Sequence, residues 1–563
     1  MAWWKRQIAR VPAGLWPMLA LFALLSLVTA SSRGLILRRY FHDAFFLFDS
    51  EWRAARGEVP HVDFHSPVGQ AFYWPFRLLG LFGDHDALTV IHANILVGAI
   101  LIAMMAATLL RRLSPILLAV TTIGVLALTM APRDVDFWII NYSYLAPYNR
   151  WPWPMIVVVA LITLLPPSRP RPVIDGIVLG LLLALFYYIK ITFLVGAVII
   201  VIAALLLRQL RPGVALVAVL AALATAGLVE LIWHNNAGYI ADLRMALAGP
   251  AENRSLRLHN LLTRSIAALC YLFVVIGIFF VNRTERSIGA WLRADGRSMF
   301  IAGGVILVGL SITIQNNPRL EYGHGFAAMI IALELVRRSR ASAASRAPMS
   351  AFSRRRTIAL TAAGLLVPGL DVASMFTHAA ESWTQRVCPM PVLAGTQGEY
   401  LLKTPNTIAQ IAPGKPAPGC GEVRQPAFDA PPPDYPDPTI IDPIEMRKMD
   451  EAMFLLRREM RPGDVILSLD FANPYPFLFA GQPPRGALTW WDSSRTYSKQ
   501  AHPDAGPLLG STTLVLQVIS HEEQQVYGHS LWTVYGKDVV RDFRPVAETP
   551  RLRLWRKRGS ASP

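Results

Sequence analysis

Residues 173–207 read VIDGIVLGLLLALFYYIKITFLVGAVIIVIAALLL, about 35 residues of apolar chain broken near the middle by Lys190. Hydrocarbon about 30 Å thick takes roughly 20 mostly apolar residues per helical crossing, so this run is too long for one span and tight for two. The flanking charges decide. With two spans, Arg111 and Arg112, Arg169 and Arg171, Arg208 and Arg211, Arg283 to Arg297, and Arg337 to Arg356 all fall on one side. Together with Lys5, Arg6 and Arg10 they put twenty Lys and Arg residues in short segments on the side of the N-terminus, the pattern of a cytoplasmic face. One span would send the last three groups to the opposite side, so two helices meeting at Lys190 are expected.

Outward from this run the same criterion gives about eleven transmembrane helices, near 12–37, 87–110, 114–131, 154–167, 173–189, 191–207, 212–233, 264–281, 299–315, 323–336 and 357–377. The first also has features of a cleaved signal peptide, with Val28-Thr29-Ala30 at its end, but it is long for one. Composition agrees with a membrane chain. Of 563 residues 53% are apolar and 16% charged, with a mean hydropathy of +0.37, whereas a soluble domain is about 25% charged. The net charge of +16 sits between the apolar runs, so it signals topology and no nucleic acid partner. Three cysteines, without CxxC or zinc spacing, exclude a disulfide-dense scaffold.

The opposite, external face then receives loops at about 38–86, 132–153, 234–263 and 316–322, and everything after about 378. The acidic and aromatic residues of the membrane half concentrate in these loops, so chemistry is expected outside. The first loop, near 50 residues, is long for a connector, and such loops tend to be functional. Tyr40 to Arg56 reads as an amphipathic helix lying on the membrane surface, with Phe45, Phe46, Phe48 and Trp52 toward lipid or protein. Gly57 and Pro60 end it. The Trp/Tyr cluster from Tyr142 to Trp153 reads as an interfacial belt, with stacking on sugar rings as the other reading. Glu230 and His234, one turn apart near a span end, read as a helix-stabilising pair or as groups facing a cavity.

An acidic residue soon after the first span, a helix, then Gly57-x-x-Pro60-x-x-Asp63-Phe64-x-x-Pro67, and a span beginning after Leu81-Phe82-Gly83, together resemble the multi-spanning C-type (GT-C) superfamily of glycosyltransferases. That group includes the protein O-mannosyltransferases and the lipid A aminoarabinose transferase. Gly180 followed by Lys190, and Tyr148-Asn149-Arg150-Trp151, are weaker echoes. The resemblance covers roughly 12–340 in architecture and about 30 residues in motif, and it lacks the superfamily's frequent Asp-Glu pair.

The resemblance implies an enzyme of the bacterial inner membrane, its tail periplasmic. It would move a sugar from a polyprenyl-phosphate-linked donor in the bilayer to a cell-envelope glycan, lipid or protein. Phosphate leaves readily, so an inverting displacement needs one general base on the acceptor and cationic groups on the phosphate. Asp43, fourteen residues before Gly57, stands close to the superfamily's catalytic acidic position and is the expected base. Asp49 is its competitor, and Asp63 is a candidate for orienting the acceptor or holding a divalent cation, the metal itself being unknown. Lys190, Arg150, Arg319 and His324 are the phosphate candidates. For Lys190 the alternative is snorkelling; for the others it is structural pairing.

Residues 1–377 thus form a membrane domain and 378–563 a small α/β soluble domain. The tail is expected to hold a Pro-rich linker near 431–436, an amphipathic helix from about Asp442 to Met460, and strands at Val465 to Leu469, Thr513 to Ile519 and Leu552 to Trp555. Cys388 and Cys420 lie in an oxidising compartment on this topology and are expected to bridge. A polytopic transporter or flippase, and a non-catalytic scaffold, are the rival readings; few ionisable residues in the spans and no inverted repeat speak against transport.

Overall fold

A computed structural model describes residues 14–37, 41–83, 86–133, 139–140, 142–144, 146–248, 266–283, 287–315, 322–342, 351–384, 388–389, 393, 395–398, 400–403, 443–493, 495–520 and 526–559. The protein is a helical membrane protein with a small sheet-containing tail. Each expected span contains helix, but the first, expected to reach 37, ends at Ala30, and Leu35–Ile36 beyond it are extended because they pair with Leu401 and Leu402 of the tail. The 173–207 run is two helices, Pro172–Ile189 and Ile191–Leu206, separated by Lys190 in extended conformation (φ −158°, ψ 114°).

Among the described residues four helices are long and apolar enough to cross a membrane: Thr89–Arg111, Pro172–Ile189, Pro212–Trp233 and Ile288–Thr313. Leu15–Ala30, Pro115–Met130, Ile191–Leu206 and Ile266–Val281 are equally apolar but shorter. The expected 357–377 span is a pair of helices, Ala351–Gly364 and Leu366–Ser382, bent by 50° at Leu365 and passing the same test only as a pair. Pro152–Leu164 is buried along its whole length, a helix surrounded by helices. Pro172–Ile189 packs closely on Pro212–Trp233 through Gly176 and Gly180. A Cβ on Gly180 would lie 2.4 Å from the Ala218 carbonyl oxygen, so the backbones meet across a small-xxx-small stripe.

The helix Phe41–Ala55 departs from expectation: it does not lie on a lipid surface but is buried along most of its length. Phe48 stacks on Phe477 of the tail (4.6 Å, 11°), the Trp52 indole donates to the Gly481 carbonyl at 2.7 Å, and Phe46 meets Trp490 edge-on at 4.6 Å. Both faces of the helix have found protein, so the tail takes the place assigned to the bilayer.

In the tail, strands β4 (Ile466–Leu469), β5 (Leu514–Val518), β6 (Phe543–Glu548) and β7 (Leu552–Lys557) form a sheet of order β4-β5-β7-β6, parallel between β4 and β5 and antiparallel elsewhere. Helices Pro443–Glu459 and Val526–Asp542 pack against it. A second sheet joins β1 (Leu35–Ile36), just after the first membrane helix, to β3 (Leu401–Lys403) in parallel, with β2 (Cys388–Pro389) on β3's other edge. One apolar core therefore runs from the membrane helices through the Phe41–Ala55 helix into the tail. Cys420, the expected partner of Cys388, lies outside the described residues.

Candidate functional site

Asp43 stands in the first turn of the Phe41–Ala55 helix, where the exposed backbone N–H groups and the helix dipole favour a negative charge. Its side chain is nearly buried, with Oδ2 3.9 Å from His42 Nε2. Its charge reaches Tyr148, around which three other parts of the chain gather. Tyr148 stacks on Trp490 (5.3 Å, 10°), and Phe46 touches both rings. Lys190 Nζ sits 4.7 Å over the Tyr148 ring and donates to Asn149 Oδ1 at 2.5 Å. Asp492 and Arg495, 3.5 Å apart, complete the cluster from the tail. Burial pushes the Tyr148 hydroxyl up, the Asp43 charge pushes it further, and Arg495 opposes. Tyr148 is thus a neutral hydrogen-bonding surface set among charges of both signs.

Of the residues singled out in the sequence, Lys190, Asn149 and Tyr148 meet here within reach of the Asp43 charge, with Arg150 half-buried at the end of the short Pro147–Arg150 helix. The sequence reading missed Trp490, Asp492 and Arg495; the only signal was a Trp-Trp-Asp string between two strands, in a tail read as separate. The Tyr142–Trp153 cluster is no lipid belt. Trp151 and Trp153 are buried, and the Trp151 indole donates to Asn94 Oδ1 at 2.8 Å.

Asp49 faces elsewhere. Arg53, one turn on, donates from Nε to Asp49 Oδ2 at 2.9 Å, and from Nη1 to Glu58 Oε2 (2.9 Å) and the Pro484 carbonyl (3.1 Å). Burial raises the Asp49 carboxyl to about 6 against the pull of Arg53. Its Oδ1 has no hydrogen-bond partner among the described residues. This pair anchors the helix to the tail. Asp63 accepts from the Val59 N–H at 2.8 Å and closes the turn after the helix. No group of three His, Cys, Asp or Glu that could hold a metal occurs among the described residues. His324 is buried against Trp153 and Gly309, in the helix interior. Arg319 lies outside the described residues. Glu230 accepts from the Asn236 N–H at 3.0 Å, capping the following helix.

One polar cluster had no forerunner in the sequence reading. Asp242, on the helix Asn236–Leu247, accepts from His61 Nδ1 (Oδ2, 2.7 Å), from His65 Nδ1 (Oδ1, 2.7 Å) and from the Ser66 N–H (2.9 Å). The residues are about 180 positions apart in the chain, so no local pattern announces them. Burial pushes the Asp242 carboxyl up, but the hydrogen bonds and charges of the two imidazoles outweigh it and hold the group below the ordinary value.

No family model, curated protein sequence or solved structure matches this chain. The class that fold and geometry define is a helical membrane protein whose first long loop is clamped beneath its own α/β tail.

Proposed function

We infer that the protein is an integral-membrane glycosyltransferase of GT-C type, transferring a sugar from a polyprenyl-phosphate donor to a cell-envelope acceptor. On this reading the eleven apolar helical segments are the spans, the shorter ones completing a crossing with flanking residues. The Asp43 face is external, in the bacterial inner membrane, with the tail periplasmic. The observation that supports the reading is Tyr148, which feels the Asp43 charge, stacks on Trp490 and lies beneath the Lys190 ammonium.

The chemistry follows from those groups. Asp43 takes the proton of the acceptor hydroxyl as its oxygen attacks the anomeric carbon, while the bond to phosphate breaks and its electrons stay on the phosphate oxygen. Lys190 and Arg150 neutralise that growing charge. The Tyr148–Trp490 stack offers an aromatic face to a sugar ring. Positioned base catalysis contributes about 10²–10⁴-fold. Asp43→Asn should therefore fold with unchanged thermal stability yet lose transfer by about that factor. The assay is membrane vesicles supplied with lipid-phosphate-linked sugars, with mass spectrometry of envelope glycans. Full transfer by Asp43→Asn, or loss in Asp49→Asn alone, removes Asp43 from the role. A reporter fused within 38–86 and found in the cytosol overturns the topology.

A further inference from the structure

We propose that His65, held by Asp242, is a hydrogen-bond donor to the phosphate of the lipid carrier; the assignment rests on the transferase reading and adds a residue to it. Asp242 fixes the ring by Nδ1, and the His65 side chain is 36% exposed, so Nε2 is the atom left to meet a ligand. The partner imidazole differs. His61 is 1% exposed, lies on the Tyr239 ring at 4.7 Å, and its Nε2 has no partner among the described residues.

The geometry is held against strain. His61 adopts a left-handed backbone (φ 69°), and a Cβ on Gly238 would lie 2.1 Å from the His61 carbonyl oxygen, so only glycine allows the helix so close. Non-glycine residues in this region cost about 1–3 kcal/mol and persist where the surroundings over-determine them. The same loop borders the Asp43 cluster on two sides. His65 bonds through its backbone to Ala487 and Thr489, next to Trp490, and Gly69 donates to the Ile189 carbonyl, next to Lys190. His65 and Lys190 thus belong to segments that touch the same wall.

A phosphate is the ligand that fits. With Nδ1–H given to a carboxylate, donation through Nε2 requires the imidazolium. The titratable and charged groups facing His65 are Asp242 and, across that carboxylate, His61 and Tyr239; Asp63 is turned to the Val59 N–H. As the bond from sugar to phosphate breaks, the electron pair goes to the phosphate oxygen that His65 Nε2–H meets. The acceptor's proton goes to Asp43.

The test is titration of the full-length protein in nanodiscs with farnesyl phosphate at pH 6 and pH 8, with inorganic phosphate in parallel. Wild type should bind farnesyl phosphate about tenfold tighter at pH 6, and His65→Gln should lose that advantage and bind about tenfold more weakly there. His61→Gln, which loosens the same carboxylate without touching the solvent-facing ring, should keep the pH dependence. Inorganic phosphate competing equally would assign the site to phosphate from any source and overturn the lipid carrier as its ligand. Unchanged binding in His65→Gln, equal loss in His61→Gln, or no binding by wild type overturns the proposal. Wild type that binds but transfers no sugar overturns the transferase reading and leaves His65 standing.

Discussion

Two helices of this protein invert the usual rule of burial. Pro212–Trp233 carries no charge before Glu230 and is otherwise almost wholly apolar, yet it is the least buried of the four long apolar helices among the described residues, with Leu223 64% and Leu231 72% exposed. Phe41–Ala55 carries Asp43, Asp49, Glu51 and Arg53 and is packed in protein, with Asp49 and Arg53 fully buried. The difference is one of solvent. An apolar side chain facing hydrocarbon gains nothing from being covered, whereas a charged one outside the hydrocarbon is kept dry only when a partner compensates it. Exposure in the first helix is therefore what a membrane-spanning segment allows, and burial in the second follows from the Asp49–Arg53 pair and the tail packed over it.

The comparison breaks most visibly at Arg53. Arg53→Met leaves Asp49 and Glu58 without their cation in a buried place, and should cost about 3–5 kcal/mol in thermal or denaturant unfolding of the detergent-solubilised protein. Adding Asp49→Asn should restore part of that loss; a single variant as stable as wild type would show that the charges are not dry. A smaller effect, about 1–3 kcal/mol, is expected from Gly180→Val, which forces apart helices whose backbones touch at Ala218.

The pH dependence sharpens the contrast further. Asp49 is raised from 3.8 to about 6 in the folded protein, so between those values the native state holds a proton that the unfolded chain has released. Stability should fall as pH rises through that window, and Asp49→Asn should flatten the decline in a series of melting temperatures. A slope identical to wild type would refute the shift. Least affected is Leu231→Ala on the lipid-facing helix, expected within about 0.5 kcal/mol because no packed core is opened.

Much of the membrane half was legible because long apolar runs and basic loops are one-dimensional signals, and Lys190 marks a helix break in both sequence and structure. Three tail strands and the helix Pro443–Glu459 were legible for the same reason. Strand β6 was not: only Phe543 in it is buried, and Pro545 fits an edge strand, so the alternation that identifies strands is absent. The sequence reading also gave no place to the helix Val526–Asp542.

Within the candidate site, the sequence marked the acidic helix after the first span and, 147 positions further along the chain, Lys190, while the preference for Asp43 rested on the resemblance alone. Local spacing could not separate Asp43 from Asp49, because both are carboxylates on one helix. What parts them is the i to i+4 reach of Arg53 and the wall formed by Gly481 and Pro484. Nor could it join His61 and His65 to Asp242, whose pairing depends on Gly238 letting two backbones touch.

By itself, then, the order of residues determined where helices form, since hydropathy acts on each segment almost independently of the rest. The tertiary structure alone decided that the tail caps the first loop, that Trp490 reaches Tyr148, and that one aspartate binds two histidines. Those contacts depend on distances between segments far apart in the chain, and such distances exist only after packing has set them.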